Sequence, residues 1–396
     1  MSLKDIIESD EKYYVNSYGS RQEICFSHGK GVKLWDINDN EYIDFLSGIS
    51  VNSLGHSHPN IVNTIKNQAN KYIHCSNLYY IKEQVELAKK LFEISCFDKF
   101  FFGNSGAEAN EAAIKFARLY FKKIGSGYRH EIITLTNSFH GRTLATLAAT
   151  GQDKFHTNLH PLPPGFIHIP INDFDKLDEA ISDTTCAIMI EPIQGEGGIN
   201  IVDLEYMDYL KDICLSNNII LIFDEIQTGI GRTGKMFAYE HFGVEPDIMT
   251  LAKGLGGGFP IGSVCLKNKI ASVIEPGDHG STFGGNPLAC GVALSVLETL
   301  ESEKLIENTE LMGKYFSEKI LVLKKKFSII KEIRGKGLLI GIEFNNDIAV
   351  EVKNKMLEKG FLIGTIGTRV LRIAPPLIIT KEYIDKFLIA LYRSLG

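Results

Sequence analysis

Two apolar runs in the middle of the chain end in opposite charges. Leu221-Ile-Phe-Asp224 closes on a carboxylate; Asp247-Ile-Met-Thr-Leu-Ala-Lys253 closes on an amine, followed at once by the glycine-rich Gly254-Leu-Gly-Gly-Gly258. Near-continuous apolar runs bounded by turn residues predict strands of a mostly parallel sheet covered on both faces. In such sheets ligands sit outside the carboxyl ends of the strands. Asp224 and Lys253 can therefore converge on one ligand, the acid on a cationic ring nitrogen and the amine on an aldehyde. That is the chemistry of pyridoxal phosphate held as a Schiff base. A lone lysine in a turn is most often a solvated charge, so the weight falls on the pair and its surroundings.

Three further strand ends carry polar groups. Gly103-Asn-Ser-Gly-Ala-Glu-Ala-Asn110 follows the run 99–102 and precedes a helix from Glu111 to about Lys122. Backbone N–H groups at such a helix start form an anion site, although many plain strand-to-helix turns look the same. Asn137-Ser-Phe-His-Gly-Arg-Thr143 puts a ring, an imidazole and a guanidinium together. Phe139 can stack on a planar cofactor and Arg142 can grip a carboxylate; as isolated residues they read as core and surface ion pair. Glu191-Pro-Ile-Gln-Gly-Glu-Gly-Gly198 offers two acids, but no run of sugar-binding aromatics supports glycosidase work. His56 and His58 lack further ligands in sequence and read as a structural turn, with no metal expected. Gly229-Ile-Gly-Arg-Thr-Gly-Lys235 imitates nucleotide-binding fingerprints and fails on context. It is displaced from the strand end by 224–228, and Met236 stands where a P-loop needs Ser or Thr.

The elements that must position these groups alternate strand and helix from about 56 to 285. The clearest strands are at 99–102, 132–135, 186–190, 219–223 and 247–251. A helix is expected at Asn286-Pro287, with a stripe of Ala289, Val292, Ala293, Val296, Leu297 and Leu300. Expected strands near 338–344, 361–363 and 370–373 form a smaller α+β unit, which the N-terminal strands at 32–36 and 41–45 join. The expected organisation is thus 1–55 joining the small domain, 56–285 as a large cofactor-binding domain, and 286–396 as the small domain. The net charge of −6 argues against nucleic-acid and anionic-membrane partners. Seven scattered cysteines without a C-x-x-C suit reduced thiols of a cytoplasmic protein. The N-terminus lacks a signal-peptide apolar core, and no apolar run is long enough to span a bilayer.

Taken in order, Gly48-Ile-Ser-Val-Asn-Ser-Leu-Gly-His-Ser-His-Pro59, the segments above, His279-Gly-Ser-Thr-Phe-Gly-Gly-Asn-Pro-Leu-Ala289 and Arg334-Gly-Lys-Gly-Leu-Leu339 resemble the class III aminotransferases over nearly the whole chain. The resemblance implies the α/β fold of PLP fold type I: a large domain with a mostly parallel sheet flanked by helices, plus a smaller α+β domain. It implies a pyridoxal 5'-phosphate enzyme in which Lys253 forms the Schiff base and shuttles a proton, and Asp224 pairs with the ring nitrogen. Ser105, Gly106 and Ala107 would cradle the phosphate. Phe139 would stack on the ring opposite Ile226, where the family often has Val. Glu225 and Gln227 would also bind the cofactor, Gln227 at the ring hydroxyl. Ser281 and Thr282 would serve the other subunit of a homodimer with shared sites, Thr282 on its phosphate and Ser281 toward its substrate. Arg142 would bind the substrate carboxylate, and Arg372 the carboxylate of glutamate or 2-oxoglutarate, with Glu196 as its movable counter-ion. The expected partners are an amino donor and a 2-oxo acid, first N-acetylornithine and 2-oxoglutarate. Ornithine, succinylornithine, succinyldiaminopimelate and 4-aminobutyrate are the rival donors. A non-catalytic binding protein on the same fold is disfavoured because Lys253 and Asp224 are both intact. The stretch Gly364-Thr-Ile-Gly-Thr-Arg369, just before Arg372, departs from the family pattern.

Overall fold

In the computed structural model, which describes residues 1–19 and 21–396, the apolar runs become strands. In chain order they are β1 (Phe26–Lys30), β2 (Lys33–Asp36), β3 (Glu41–Asp44), β4 (Lys99–Gly103), β5 (Glu131–Leu135), β6 (Phe166–Ile169) and β7 (Thr185–Ile190). The short β8 (Ile193–Gln194) and β9 (Asn200–Ile201) follow, then β10 (Ile220–Asp224), β11 (Ile248–Leu251) and β12 (Gly262–Leu266). The C-terminal region adds β13 (Ile330–Lys336), β14 (Leu339–Phe344), β15 (Phe361–Leu362), β16 (Gly364–Ile366) and β17 (Val370–Ile373).

The central sheet has seven strands in the order β4-β12-β11-β10-β7-β5-β6. β11, β10, β7, β5 and β6 run parallel, while β12 is antiparallel to both β11 and β4. Every residue of β7, β10, β11 and β12 is buried, as expected for a sheet covered on both faces. β10 and β11 end side by side, Asp224 in register with Thr250. This brings the carboxylate and the lysine turn to one edge of the sheet.

The helix expected from Glu111 begins earlier, at Gly106, and runs Gly106–Lys123. Ser105 caps it: its Oγ accepts from Glu108 N at 3.1 Å. The Pro287–Ser302 helix starts where the sequence places it, with Asn286 Oδ1 accepting from Ala289 N at 2.9 Å. Its stripe Ala289, Val292, Ala293, Val296, Leu297 and Leu300 is buried. Truncating Leu297 to Ala would cost about 2–5 kcal/mol.

A second sheet, β1-β2-β3-β15, joins N-terminal strands to a C-terminal one through the parallel β3–β15 pair. A third, β13-β14-β17-β16, carries Arg372 on β17.

Candidate active site

A cavity of about 410 Å³ opens at this sheet edge, lined among others by Gly106, Phe139, Asp224, Ile226, Gln227 and Lys253. Lys253 follows β11 with φ of +41°, in the left-handed region that an L-residue adopts at a cost. Lys253 is half-buried on the cavity wall. Burial pulls its pKa below the ordinary lysine value, while the Glu196 carboxylate pulls it the other way. A lysine shifted in this sense is readied as a nucleophile and base.

Asp224 is buried at the end of β10. Its Oδ2 accepts from Asn110 Nδ2 at 2.7 Å and His140 Nδ1 at 2.8 Å, and its Oδ1 accepts from Ile226 N at 3.1 Å. An ionised carboxylate only accepts, so His140 Nδ1 carries the proton. His140 is buried, and its Nε2 has no partner among the described residues. Asn110 is fixed in turn: its Oδ1 accepts from Thr250 Oγ1 at 2.7 Å, and its Nδ2 also donates to His140 O at 2.7 Å. Sequence reasoning gave Asn110 and His140 no role. The only signal was their place one helical turn, or one residue, beyond groups already singled out.

The anion end of the cavity is the start of the Gly106–Lys123 helix, where Ser105, Gly106 and Ala107 line the wall. A Cβ on Gly106 would lie 2.7 Å from Ile226 Cδ1, so glycine lets Ile226 pack against the start of the helix here. Arg142 is on the cavity wall with its guanidinium exposed, 3.9 Å from the Phe155 ring centre and 5.6 Å from that of Phe139.

Glu191, first read with Glu196 as a bare pair of acids, also lines the cavity. It accepts from Phe139 N at 2.9 Å and Gly195 N at 3.0 Å. Burial pushes its carboxyl up to about 7, with His140 drawing it down and Asp224 raising it. Glu196 forms an ion pair with the buried Arg372, whose Nη1 also donates to Gly195 O at 3.3 Å. Gln227 touches both neighbours loosely, accepting from Ser50 Oγ and donating to Glu196, each at 3.4 Å.

Glu196 and Arg372 stand outside the residues that line this cavity, and so does Glu225. Glu225 points away from the cavity: its carboxylate accepts from Tyr239 N at 2.8 Å and Ala238 N at 2.5 Å, holding the turn before β11. Adjacent residues leaving a strand face opposite ways, so Asp224 and Glu225 cannot both face one ligand. Ser281 and Thr282 do not line this chain's cavity. Ser281 Oγ accepts from Asn104 Nδ2 and Gly284 N, both at 3.1 Å, and Thr282 is exposed.

The remaining motifs are structural. His56 pairs with Asp44 at 2.8 Å and His58 caps the Pro59–Ala69 helix. No group of His, Cys, Asp and Glu among the described residues could hold a metal. Arg232 of the glycine-rich 229–235 loop is buried and donates to Leu338 O at 3.2 Å and to Pro375 O.

An amine for an aldehyde, a buried carboxylate for a ring nitrogen, a helix start for a phosphate and two apolar walls fit pyridoxal 5'-phosphate. The family profile of aminotransferase class-III matches residues 14–395. The chain belongs to the class III aminotransferases. It is 53% identical to an acetylornithine aminotransferase of Methanocaldococcus jannaschii, covering 99% of this chain and 98% of that one. A second, from Caldanaerobacter subterraneus, is 52% identical over 97% of each. Among solved structures, the ornithine aminotransferase of Toxoplasma gondii superposes with a TM-score of 0.94 at 36% identity, covering 100% of this chain and 95% of that one. The acetylornithine aminotransferase of Elizabethkingia anophelis gives 0.89 at 36%, covering 100% and 99%. No helix among the described residues is long and apolar enough to cross a membrane.

Proposed function

We propose that the chain is a cytoplasmic, homodimeric enzyme that moves the terminal amino group of N-acetylornithine to 2-oxoglutarate. The names of its curated relatives support the donor. One observation carries it beyond the name. The carboxylates lining the cavity, Glu191 and Asp224, are both engaged by protein donors, and Glu196 is paired with Arg372. A donor with a second ammonium, such as ornithine, finds no free carboxylate there. Acetylation removes that charge.

Pyridoxal 5'-phosphate supplies, when bound, an aldehyde that captures amines and a ring that takes up electrons. The Gly106 and Ala107 N–H groups would hold its phosphate, Phe139 and Ile226 its two faces, and Gln227 its hydroxyl. Asp224, fixed by Asn110 and His140, keeps a proton on the ring nitrogen. Lys253 Nζ would hold the aldehyde and, once the substrate amine has displaced it and freed it, would accept the proton from the substrate carbon and return it. Arg142 takes the donor carboxylate. Arg372 takes the carboxylate of the oxo acid once Glu196 moves away.

The dimer reading rests on exposed apolar surface. Leu78, Tyr79, Tyr80 and Phe283 are exposed, and Asn77 Nδ2 donates to Gly284 O at 2.9 Å, tying them beside Ser281 and Thr282. Such a patch marks a partner surface, from which Ser281 and Thr282 reach the second copy's site.

The test is kcat/KM for N-acetylornithine, N-succinylornithine, ornithine and 4-aminobutyrate with 2-oxoglutarate. Ornithine should fall on the order of 100-fold below the acetylated donor, the cost of an unpaired buried charge. Equal or better turnover of ornithine or 4-aminobutyrate refutes the donor assignment while leaving the reaction class.

A further inference from the structure

Glu191 stands directly after β7, is 4% exposed, and uses one carboxylate oxygen for each of two backbone groups, one remote in sequence and one in the loop that follows. Oε1 accepts from Phe139 N, which carries the aromatic wall of the cavity; Oε2 accepts from Gly195 N, the residue before Glu196. Gly195 is clamped at its other end too, its carbonyl accepting from Arg372 Nη1 at 3.3 Å. It is pressed so closely on Gln227 that a Cβ would lie 2.3 Å from Nε2. On the far side of Glu196 come Gly197 and Gly198, the latter at φ of +122°. Glu196 is therefore a single side chain mounted between glycines, the arrangement of a short hinge, whose far end is held by Asn200 Nδ2 donating to Gly197 O at 3.0 Å and Arg334 Nε donating to Gly198 O at 2.8 Å. Its near end is tethered to Glu191.

We infer that Glu191 is a positioning residue whose carboxylate anchors the Gly195 hinge and so holds Glu196 closed over Arg372. The inference rests on the reading of Arg372 as the dicarboxylate site. The tether belongs to the arrangement in which Glu196 covers Arg372, so removing it destabilises the closed state relative to the open one. A ligand that competes with Glu196 for Arg372 then binds more tightly, because more of the protein is competent to receive it. Glu191→Gln keeps the shape but turns one oxygen into a donor. With its remaining oxygen on Phe139 N, its NH₂ faces Gly195 N–H.

The probe is glutarate, a dicarboxylate that cannot be transaminated, titrated calorimetrically into the holoenzyme. Glu191→Gln should bind it at least about fivefold tighter than the unsubstituted enzyme, the scale of one lost hydrogen bond. In turnover the KM for 2-oxoglutarate should fall while kcat/KM for the amino donor does not rise. A merely structural role would weaken both substrates and glutarate together. Glu191→Asp, which keeps the charge but is too short to span both N–H groups, serves as the second variant if the amide does not fold, with the same expectation. Arg372→Ala separates the two readings. If it abolishes glutarate binding and neither Glu191 variant tightens that binding, the hinge inference fails alone. If it leaves glutarate binding intact, the Arg372 reading fails and takes the inference with it.

Discussion

Asp224→Asn separates charge from shape at the buried end of the cavity. The carboxylate meets three N–H donors: Asn110 Nδ2 and His140 Nδ1 on Oδ2, and Ile226 N on Oδ1. Asparagine can keep its oxygen toward the first two, which leaves its NH₂ against Ile226 N–H. One unmade bond of this kind costs about 1–3 kcal/mol, less than the about 5–15 kcal/mol that holds a typical protein folded. The variant should therefore fold, with a lower Tm, and still take up cofactor. Its catalytic loss comes from the missing charge, since nothing then keeps the ring nitrogen protonated. A fall of at least about 100-fold in kcat is expected, near 2.7 kcal/mol of barrier. Steady-state transamination is the assay, with a cofactor absorbance spectrum and circular dichroism on the same sample. A loss below roughly tenfold in a folded, cofactor-bearing variant makes Asp224 structural and refutes the reasoning.

Lys253→Ala should abolish turnover while the protein folds; undiminished transamination would remove the lysine from the mechanism. Mixing Lys253→Ala with Thr282→Ala and letting subunits exchange should restore one intact site per mixed dimer, because each site takes Lys253 and Thr282 from different chains. No recovery would return Thr282 to its own chain's site. Burial lifts Glu225 from the ordinary 4.5 up to about 7, so folding favours its protonated form. That stabilisation is full below about pH 4.5 and is lost as pH rises through about 7. The Tm difference between pH 5.5 and pH 8 should therefore shrink in Glu225→Gln; an unchanged difference would show that Glu225 does not titrate there.

The sheet was legible where burial on both faces leaves continuous apolar runs, as at β7, β10 and β11. β12 was not, because Gly262-Ser-Val-Cys-Leu266 mixes small and polar residues that are buried by its two neighbouring strands and by the Gly106–Lys123 helix. Its reversed direction has no sequence signal at all. Lys253 and Asp224 stood out because a charge at the end of an apolar run is conspicuous. Asn110 and His140 did not, since a buried polar residue declares itself only through its partner. Glu225 was misplaced because the run Asp-Glu-Ile-Gln does not reveal which side chains turn inward at a strand end.

β4 lies at the margin of the central sheet, and its sole neighbour there is the reversed strand β12. On the ribosome, Phe100, Phe101 and Phe102 emerge long before the strand that covers them. Until Gly262–Leu266 has been made and paired, β4 has no partner in the sheet and the helix that follows it lacks part of its seat. The Ser105 end of the cavity, packed against Gly262, is thus completed late. From the emergence of Phe102 to that of Gly262, a nascent chain therefore presents an unpaired aromatic edge strand of the kind that chaperones shield.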